Sequence, residues 1–177
     1  MKATGIFRRI DELGRIVIPK EIRRNLHIRE GDNIEIYINE NEEIILRKYS
    51  SLKNIKDFAQ RFTDSIYSLL KNNILVTDKD HIIAVSGEYK KEYLEKGISE
   101  ELASFIERRN NILEKHKKQI HFIEDEVVEC TYVIEPIYVE GDVVGLFVIF
   151  STEDVVTETE QKIARIATEF FMKYLEE

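Results

Sequence analysis

Residues 1–50 contain two pairs of short apolar runs around one helix-forming stretch, which is barely enough apolar side chain to make a core. "TGIFRRI" and "GRIVI" flank "DELG", where Gly14 can take the positive φ that a short hairpin connection commonly requires. Pro19 has no N–H and stops the ladder, yet it suits the first turn of a helix over "KEIRRNL". "NIEIYINENEEIILRK" then predicts a second hairpin, with Ile34, Ile36 and Ile38 alternating before the turn and Ile44 and Leu46 after it. A β-β-α-β-β segment of this size is marginal alone, and oligomerisation is a usual remedy. An obligate dimer is therefore expected of the first fifty residues.

Charge separates this segment from the rest. Residues 1–30 carry Lys2, Arg8, Arg9, Arg15, Lys20, Arg23, Arg24 and Arg29 against Asp11, Glu12, Glu21 and Glu30, a net of +4 in a chain whose total is −8, so the remainder nets −12. That asymmetry points to a polyanion-binding end joined to a solvated acidic body. If Ile10 faces Arg15 across the first hairpin, then Arg8 faces Val17. The period of two then sets Arg8 and Arg15 on one face with Ile6, Ile10 and Val17, and Arg9 on the other with Ile16 and Ile18. Guanidinium groups on a two-stranded ribbon match phosphates and guanine edges in a major groove. The plainer alternative is a solvated face whose arginines pair with Asp11, Glu12 and Glu21.

Residues 51–177 read as a second region. In "SLKNIKDFAQRFTDSIYSLLKNN", Leu52, Ile55, Ala59, Phe62, Ile66 and Leu69 recur at spacings of 3, 4, 3, 4 and 3. Such a seam packs a helix on a sheet or zips it to a copy of itself. "NILVTDKDHIIAVSG" predicts strand, turn, strand; "YKKEYLEKG" and "SEELASFIERRN" predict helices, the second with Ser99 as N-cap; "QIHFI" predicts a short strand. "CTYVIEPIYVEGDVVGLFVIFS" predicts a long hairpin turning at "EGD". The last helix opens with a capping box of Thr157 and Glu160 and presents Ile163, Ile166, Ala167, Phe170, Phe171 and Tyr174 on one side. The region is expected to be α+β, with helices flanking an antiparallel sheet.

Several chemistries find no support. There is no nucleophile elbow, Walker loop or Rossmann glycine set, so no enzyme is expected. His27, His81, His116 and His121 are scattered and the chain has one cysteine, so neither a metal site nor an intrachain disulfide is expected. Cys130, opening an apolar strand, reads as a small core residue suited to a reducing compartment. "DKD" at 78–80 and "EDE" at 124–126 read as solvated turns. No secretory h-region and no stretch of about 18 apolar residues is present, so the expectation is a cytoplasmic protein with no membrane partner.

"MKATGIFRRIDELGRIVIPKEIRRNLHIREGDNIEIYI" resembles the AbrB-type transition-state regulators of spore-forming bacteria over about the first fifty residues, through the run TGI-x-R-x-I-D-x-L-G-R-I-V-I-P-x-E-I-R. The length and sensor-like second half resemble the long members of that family more than the short ones. The resemblance implies a swapped-hairpin β-barrel dimer for residues 1–50, in which hairpins of two chains interleave to bind double-stranded DNA. For residues 51–177, including the linking helix 51–71, it implies a GAF-like sensor and oligomerisation domain and a homotetramer built through helix packing. DNA contact would fall on Arg8, Arg9, Arg15, Arg23 and Arg24, with Lys20 and Lys48 as weaker candidates. Leu52, Ile55, Phe62, Ile66, Leu69, Ile163, Phe170 and Tyr174 would carry oligomerisation. The asparagine, lysine, phenylalanine, aspartate and glutamate set of cyclic-nucleotide GAF domains is not found, so no cofactor is expected and a small-molecule ligand stays open. The function implied is sequence-specific regulation of transcription in sporulation. The same swapped-hairpin fold also serves antitoxins, which usually append a short disordered tail rather than about 120 folded residues.

Overall fold

Alternating side chains over Ile34–Ile38 (β1) and Ile44–Lys48 (β2) form the first ladder of the computed structural model, which describes residues 5–176. The strands are antiparallel with Ile36 opposite Leu46, and Asn39 shapes their turn by accepting from the N–H groups of Asn41 and Glu43 at 3.0 and 2.9 Å. Helix α1 (Lys20–Asn25) starts directly after Pro19, which fits a helix start because its missing N–H would have no helical partner there. Residues 5–18 form a hairpin turn without a strand ladder on either side of it. Thr4, with which the expected first strand opens, lies outside the described residues.

These elements form one unit, Met1–Tyr49; the second is Ser50–Glu177. The second begins with a 3₁₀ turn at Leu52–Ile55 and continues as α2 (Lys56–Leu70), so the expected linking helix is helical in two steps. Five antiparallel strands follow, β3 (Asn73–Thr77), β4 (Ile82–Ser86), β5 (Ile112–Ile120), β6 (Val128–Val139) and β7 (Asp142–Ser151), in the spatial order β4-β3-β7-β6-β5. Between β4 and β5 lie α3 (Lys90–Tyr93) and α4 (Glu100–Arg108), and α5 (Glu158–Glu176) closes the unit. An antiparallel sheet flanked by helices is the α+β arrangement that the GAF-like expectation required.

Both faces of the sheet are covered, which is why β3 and β4 are buried along their whole length and read as continuous apolar runs rather than as alternation. One face, with Leu75, Val85, Cys130, Val148 and Phe150, packs on Tyr93, Leu102 and Phe105. The other, with Ile74, Val76, Val133, Phe147 and Ile149, packs on Ala59 of α2 and Ala164, Ala167 and Phe171 of α5. Ser99 caps α4 by accepting from the Leu102 N–H at 3.0 Å, and Glu160 accepts from the Thr157 N–H at 2.7 Å at the head of α5. Gly145 in β7 has no room for a side chain: a β-carbon there would sit 1.9 Å from the Thr77 carbonyl oxygen and 2.7 Å from Leu52 Cδ1.

Three expected elements differ. Of the strand expected at "QIHFI" only Gln119 and Ile120 are strand, as the last residues of a nine-residue β5, "ILEKHKKQI", whose charged middle hides it from apolar patterning. The helix expected over 89–97 is helical only at Lys90–Tyr93, because residues 95–97 return to the β4 edge; Glu95 N–H donates to Ile82 O and Ile82 N–H to Lys96 O, each at 2.9 Å. Asp78 is only 5% exposed, so "DKD" is not a solvated turn.

Candidate nucleic-acid interface

The arginines expected to meet DNA sit on and beside the hairpin turn and on α1. Gly14, at φ +76°, completes a three-residue loop: Gly14 N–H donates to Asp11 O at 3.0 Å and Asp11 N–H to Arg15 O at 3.1 Å. The pair that closes the loop is therefore Asp11 and Arg15, one residue away from the expected Ile10–Arg15 pairing. Beyond this loop residues 5–18 form no ladder, so the structure sets no cross-strand register for Arg8 and Arg9. The loop is closed by Asp11, whose carboxylate accepts from the Leu13 and Arg15 N–H groups at 3.0 and 2.8 Å and ion-pairs with Arg15 Nε at 2.7 Å. The Arg15 N–H, then its guanidinium, hold the Asp11 carboxyl below its ordinary 3.8.

Arg8, Arg9, Arg15, Arg23 and Arg24 are all exposed, as is Lys20. Arg8 Nη1 donates to the neighbouring Phe7 carbonyl at 2.9 Å, and Arg23 and Arg24 stand in the last turn of α1. Lys48 is placed differently. Its ammonium reaches Asp32 at 3.2 Å and the His27 carbonyl at 2.8 Å, with the side chain only 15% exposed, so it belongs to the internal support of the unit. Arg47, which sequence patterning passes over, is exposed on β2 with its guanidinium 5.1 Å from the Tyr37 ring centroid.

The arginines share their segment with uncovered apolar side chains. Phe7 is 90% exposed, Leu13 75%, Val17 71% and Ile10 68%, and Ile36, Ile38 and Ile44 on the hairpin behind are uncovered too. Pro19 is the one described residue of this unit that is buried. Exposed apolar side chains in such number within one small unit commonly mark a surface of interaction.

The residues expected to join chains fall into two groups. Leu52 is fully buried in the second unit's own core, which removes it from any seam between chains. Ile55, Phe62, Ile66 and Ile163 are half-buried against the same core. Leu69, Phe170 and Tyr174 remain open, with Ile166 beside them. Helices α2 and α5 meet through a stack of rings: Phe58 lies on Tyr174 with centroids 4.3 Å apart and Phe62 on Phe170 at 5.2 Å, so the two helices run antiparallel. Cys130 is buried and its thiol is pushed up to about 12 by that burial, which leaves it unreactive at neutral pH. Among the described residues no cluster of His, Cys, Asp and Glu suits a metal, and no helix is long and apolar enough to cross a membrane.

Residues 54–176 match the family model described as stage V sporulation protein T C-terminal, transcription factor, and residues 7–54 match that of the antidote-toxin recognition protein MazE, a bacterial antitoxin. Stage V sporulation protein T of Bacillus subtilis (strain 168) is 45% identical over 179 residues, covering 100% of both chains. The transition state regulatory protein AbrB of the same organism is 61% identical over 49 residues, which are 28% of this chain and 50% of that one. The solution structure of AbrB's N-terminal DNA recognition domain matches 28% of this chain and 92% of its own at 58% identity, with a TM-score of 0.24. A type II free methionine-R-sulfoxide reductase from Thermoplasma acidophilum shares the fold over 68% of this chain and 94% of its own, at 12% identity and a TM-score of 0.51.

Proposed function

The chain belongs to the stage V sporulation protein T family, and from that premise we propose that it is a sequence-specific DNA-binding regulator of sporulation transcription, acting as a homo-oligomer in the cytoplasm. The observation that carries the reading is the match to stage V sporulation protein T over the whole of both chains. Residues 1–50 are the DNA-binding domain and residues 51–177 the GAF-like regulatory domain. The first becomes functional as a dimer. A second copy laying its hairpins between those of the first covers apolar side chains that one chain leaves open, among them Ile36, Ile38 and Ile44 on one face of the β1–β2 hairpin. The open stripe of Leu69, Ile166, Phe170 and Tyr174 supports a second contact, which makes two such dimers a tetramer.

In this reading Arg8, Arg9, Arg15, Arg23 and Arg24 meet DNA. Arg15 exchanges its Asp11 partner for a phosphate or a base edge, while Lys48 stays with Asp32. The match of residues 7–54 to an antitoxin model favours a second reading, a module that neutralises a partner protein. Residues 50–177, folded on a sheet with helices on both faces, weigh against it, since a neutralising tail needs no such body.

The test uses fragments recovered by mapping the protein's binding sites across its own genome. Fluorescence anisotropy on those fragments should show log K falling with log salt by about 0.9 per phosphate contacted. Each Arg→Ala change at a base edge should cost about 1–3 kcal/mol together with specificity, and a change at a phosphate should weaken binding to all sequences alike. Wild-type affinity in all five variants would defeat the reading.

A further inference from the structure

The hairpin loop that carries Arg15 presents an apolar side chain at its tip. The loop residues are Glu12, Leu13 and Gly14, and Leu13 is 75% exposed although its backbone is held. The Leu13 N–H donates to Asp11 Oδ1 at 3.0 Å, the Arg15 N–H to the same oxygen at 2.8 Å, and the Gly14 N–H to the Asp11 carbonyl at 3.0 Å. The Arg15 guanidinium takes the other carboxylate oxygen, Oδ2, at 2.7 Å. The loop therefore keeps its hydrogen bonds to Oδ1 whichever partner Arg15 takes.

The other open apolar side chains of this segment have a different setting. Phe7, Ile10, Ile16 and Val17 stand on the two arms of the hairpin, where a second chain can supply the ladder that one chain lacks. Leu13 lies between Glu12 and the Asp11–Arg15 ion pair, all of them exposed. Burying it in a seam between chains would take those charges out of water with it, a cost that one leucine's apolar contact does not offset. A DNA groove suits the same mixture of groups. The major groove admits a two-stranded ribbon, offers phosphates and acceptor edges to arginine, and displays one apolar group, the C5-methyl of thymine, to an aliphatic side chain.

We propose that Leu13 determines specificity by reading thymine: its side chain packs on the C5-methyl of a thymine in the major groove of the operator, beside the phosphate or base edge that Arg15 takes. This rests on the DNA-binding reading above. It gives a segment whose arginines favour phosphates and guanine a way to recognise an A·T pair as well.

The experiment uses the full chain and operator duplexes, taken from the mapped fragments, in which one thymine at a time is replaced by uracil. That exchange removes the methyl group and leaves every hydrogen-bonding group of the pair in place. Wild-type affinity, measured by fluorescence anisotropy, should fall by about fourfold at the contacted thymine, the worth of one buried methyl-sized group. Leu13→Ala should bind the unmodified operator about tenfold more weakly, since a dimer carries two copies of the contact, and should bind the thymine and uracil duplexes alike at that position. Its affinity for non-operator DNA, and the fall of that affinity with salt, should match wild type, because a methyl contact neutralises no phosphate. Light scattering and a thermal melt compare the assembly and folding of Leu13→Ala with those of wild type. A wild type that binds the operator but tolerates uracil at every position overturns the thymine contact and leaves DNA binding standing. A Leu13→Ala variant that keeps the wild-type loss at uracil also overturns it, as does one that no longer dimerises, which would place Leu13 in the seam between chains. A wild type that binds none of the mapped fragments defeats the DNA-binding reading and this inference with it.

Discussion

Tyr93 is fully buried, and among the described residues its hydroxyl has no hydrogen-bond partner of ordinary geometry, although the Glu126 carboxylate lies near enough to interact with it. Burial first, and then the nearby Glu126 carboxylate, push its phenol far upward, so it stays protonated throughout the ordinary pH range. A buried donor without an acceptor costs about 1–3 kcal/mol, whereas removing it leaves the ring's packing on Tyr89 and Phe122 in place. Tyr93→Phe should thus leave stability unchanged or raise it by up to about 1 kcal/mol in urea denaturation. A larger loss would mean that the hydroxyl has a partner. Asp64 is the opposite case. Partial burial lifts its carboxyl, but hydrogen bonds from Ser86 Oγ at 2.6 Å and Gln60 Nε2 at 2.9 Å, with Lys90 beside them, outweigh this and hold it below its ordinary 3.8. A carboxyl depressed in the folded state contributes stability above its unfolded value and loses it as pH falls through the folded one. The melting-temperature gap between wild type and Asp64→Asn should therefore be widest near neutrality and close as pH drops below about 4. A gap that does not change with pH would exclude this origin. Neither residue stood out in the sequence, since Tyr93 reads as one aromatic of a short helix and Asp64 as one acid on a polar face; only tertiary neighbours make them unusual.

Among elements, those with a local signal were legible. The capping box at Thr157, the N-cap at Ser99 and the strands β1, β2, β3 and β4 stand where capping chemistry and apolar patterning place them. The missing signals were non-local. Strand β5 is an edge strand with a bulge between Glu114 and Lys118, and its exposed Lys115, Lys117 and Lys118 are what a sheet edge needs to refuse further pairing, so its charge masked its geometry. The first hairpin shows only its turn, because the apolar faces that would hold a ladder have no cover within one chain. The seam on α2 was read as one stripe although it is two: Ala59 and Thr63 face the sheet, and Leu69 faces away. Gly145 had no sequence signature at all, yet β7 depends on it to approach β3. A methyl group there meets backbone that cannot rotate away, so Gly145→Ala should cost at least the upper end of the roughly 1–3 kcal/mol usual for overpacking. Chemical denaturation monitored by tyrosine fluorescence would measure it, and a loss below 1 kcal/mol would show that β3 and β7 can separate locally.

For the whole molecule, the decisive property is how many copies act together, and the two open apolar surfaces make separable predictions. Most of the large apolar side chains among the described residues 5–49 are exposed and the rest only half-buried, so a fragment ending before α2 should be a dimer whose folding depends on protein concentration. Phe62 and Ile66, which the heptad spacing recommends for disrupting assembly, are poor choices, because Phe62 stacks on Phe170 and Phe171 within its own chain and both residues pack on that chain's core. Charging them would unfold the regulatory domain together with any interface. Leu69, at 85% exposed, and Ile166, at 67%, can take a charge without disturbing that packing. If the proposed tetramer forms through this stripe, Leu69→Glu with Ile166→Glu should convert it to a dimer in light scattering while the melting temperature changes little, as expected for exposed positions. Binding to a single operator copy should be unaffected. Binding to two copies should weaken by as much as about 10² to 10⁴, the advantage of holding the second dimer at high effective concentration. If the doubly charged variant remains a tetramer, the stripe on α2 and α5 is not the second contact. If it becomes a dimer yet keeps full affinity for paired operators, each N-terminal dimer binds on its own and assembly adds nothing to affinity.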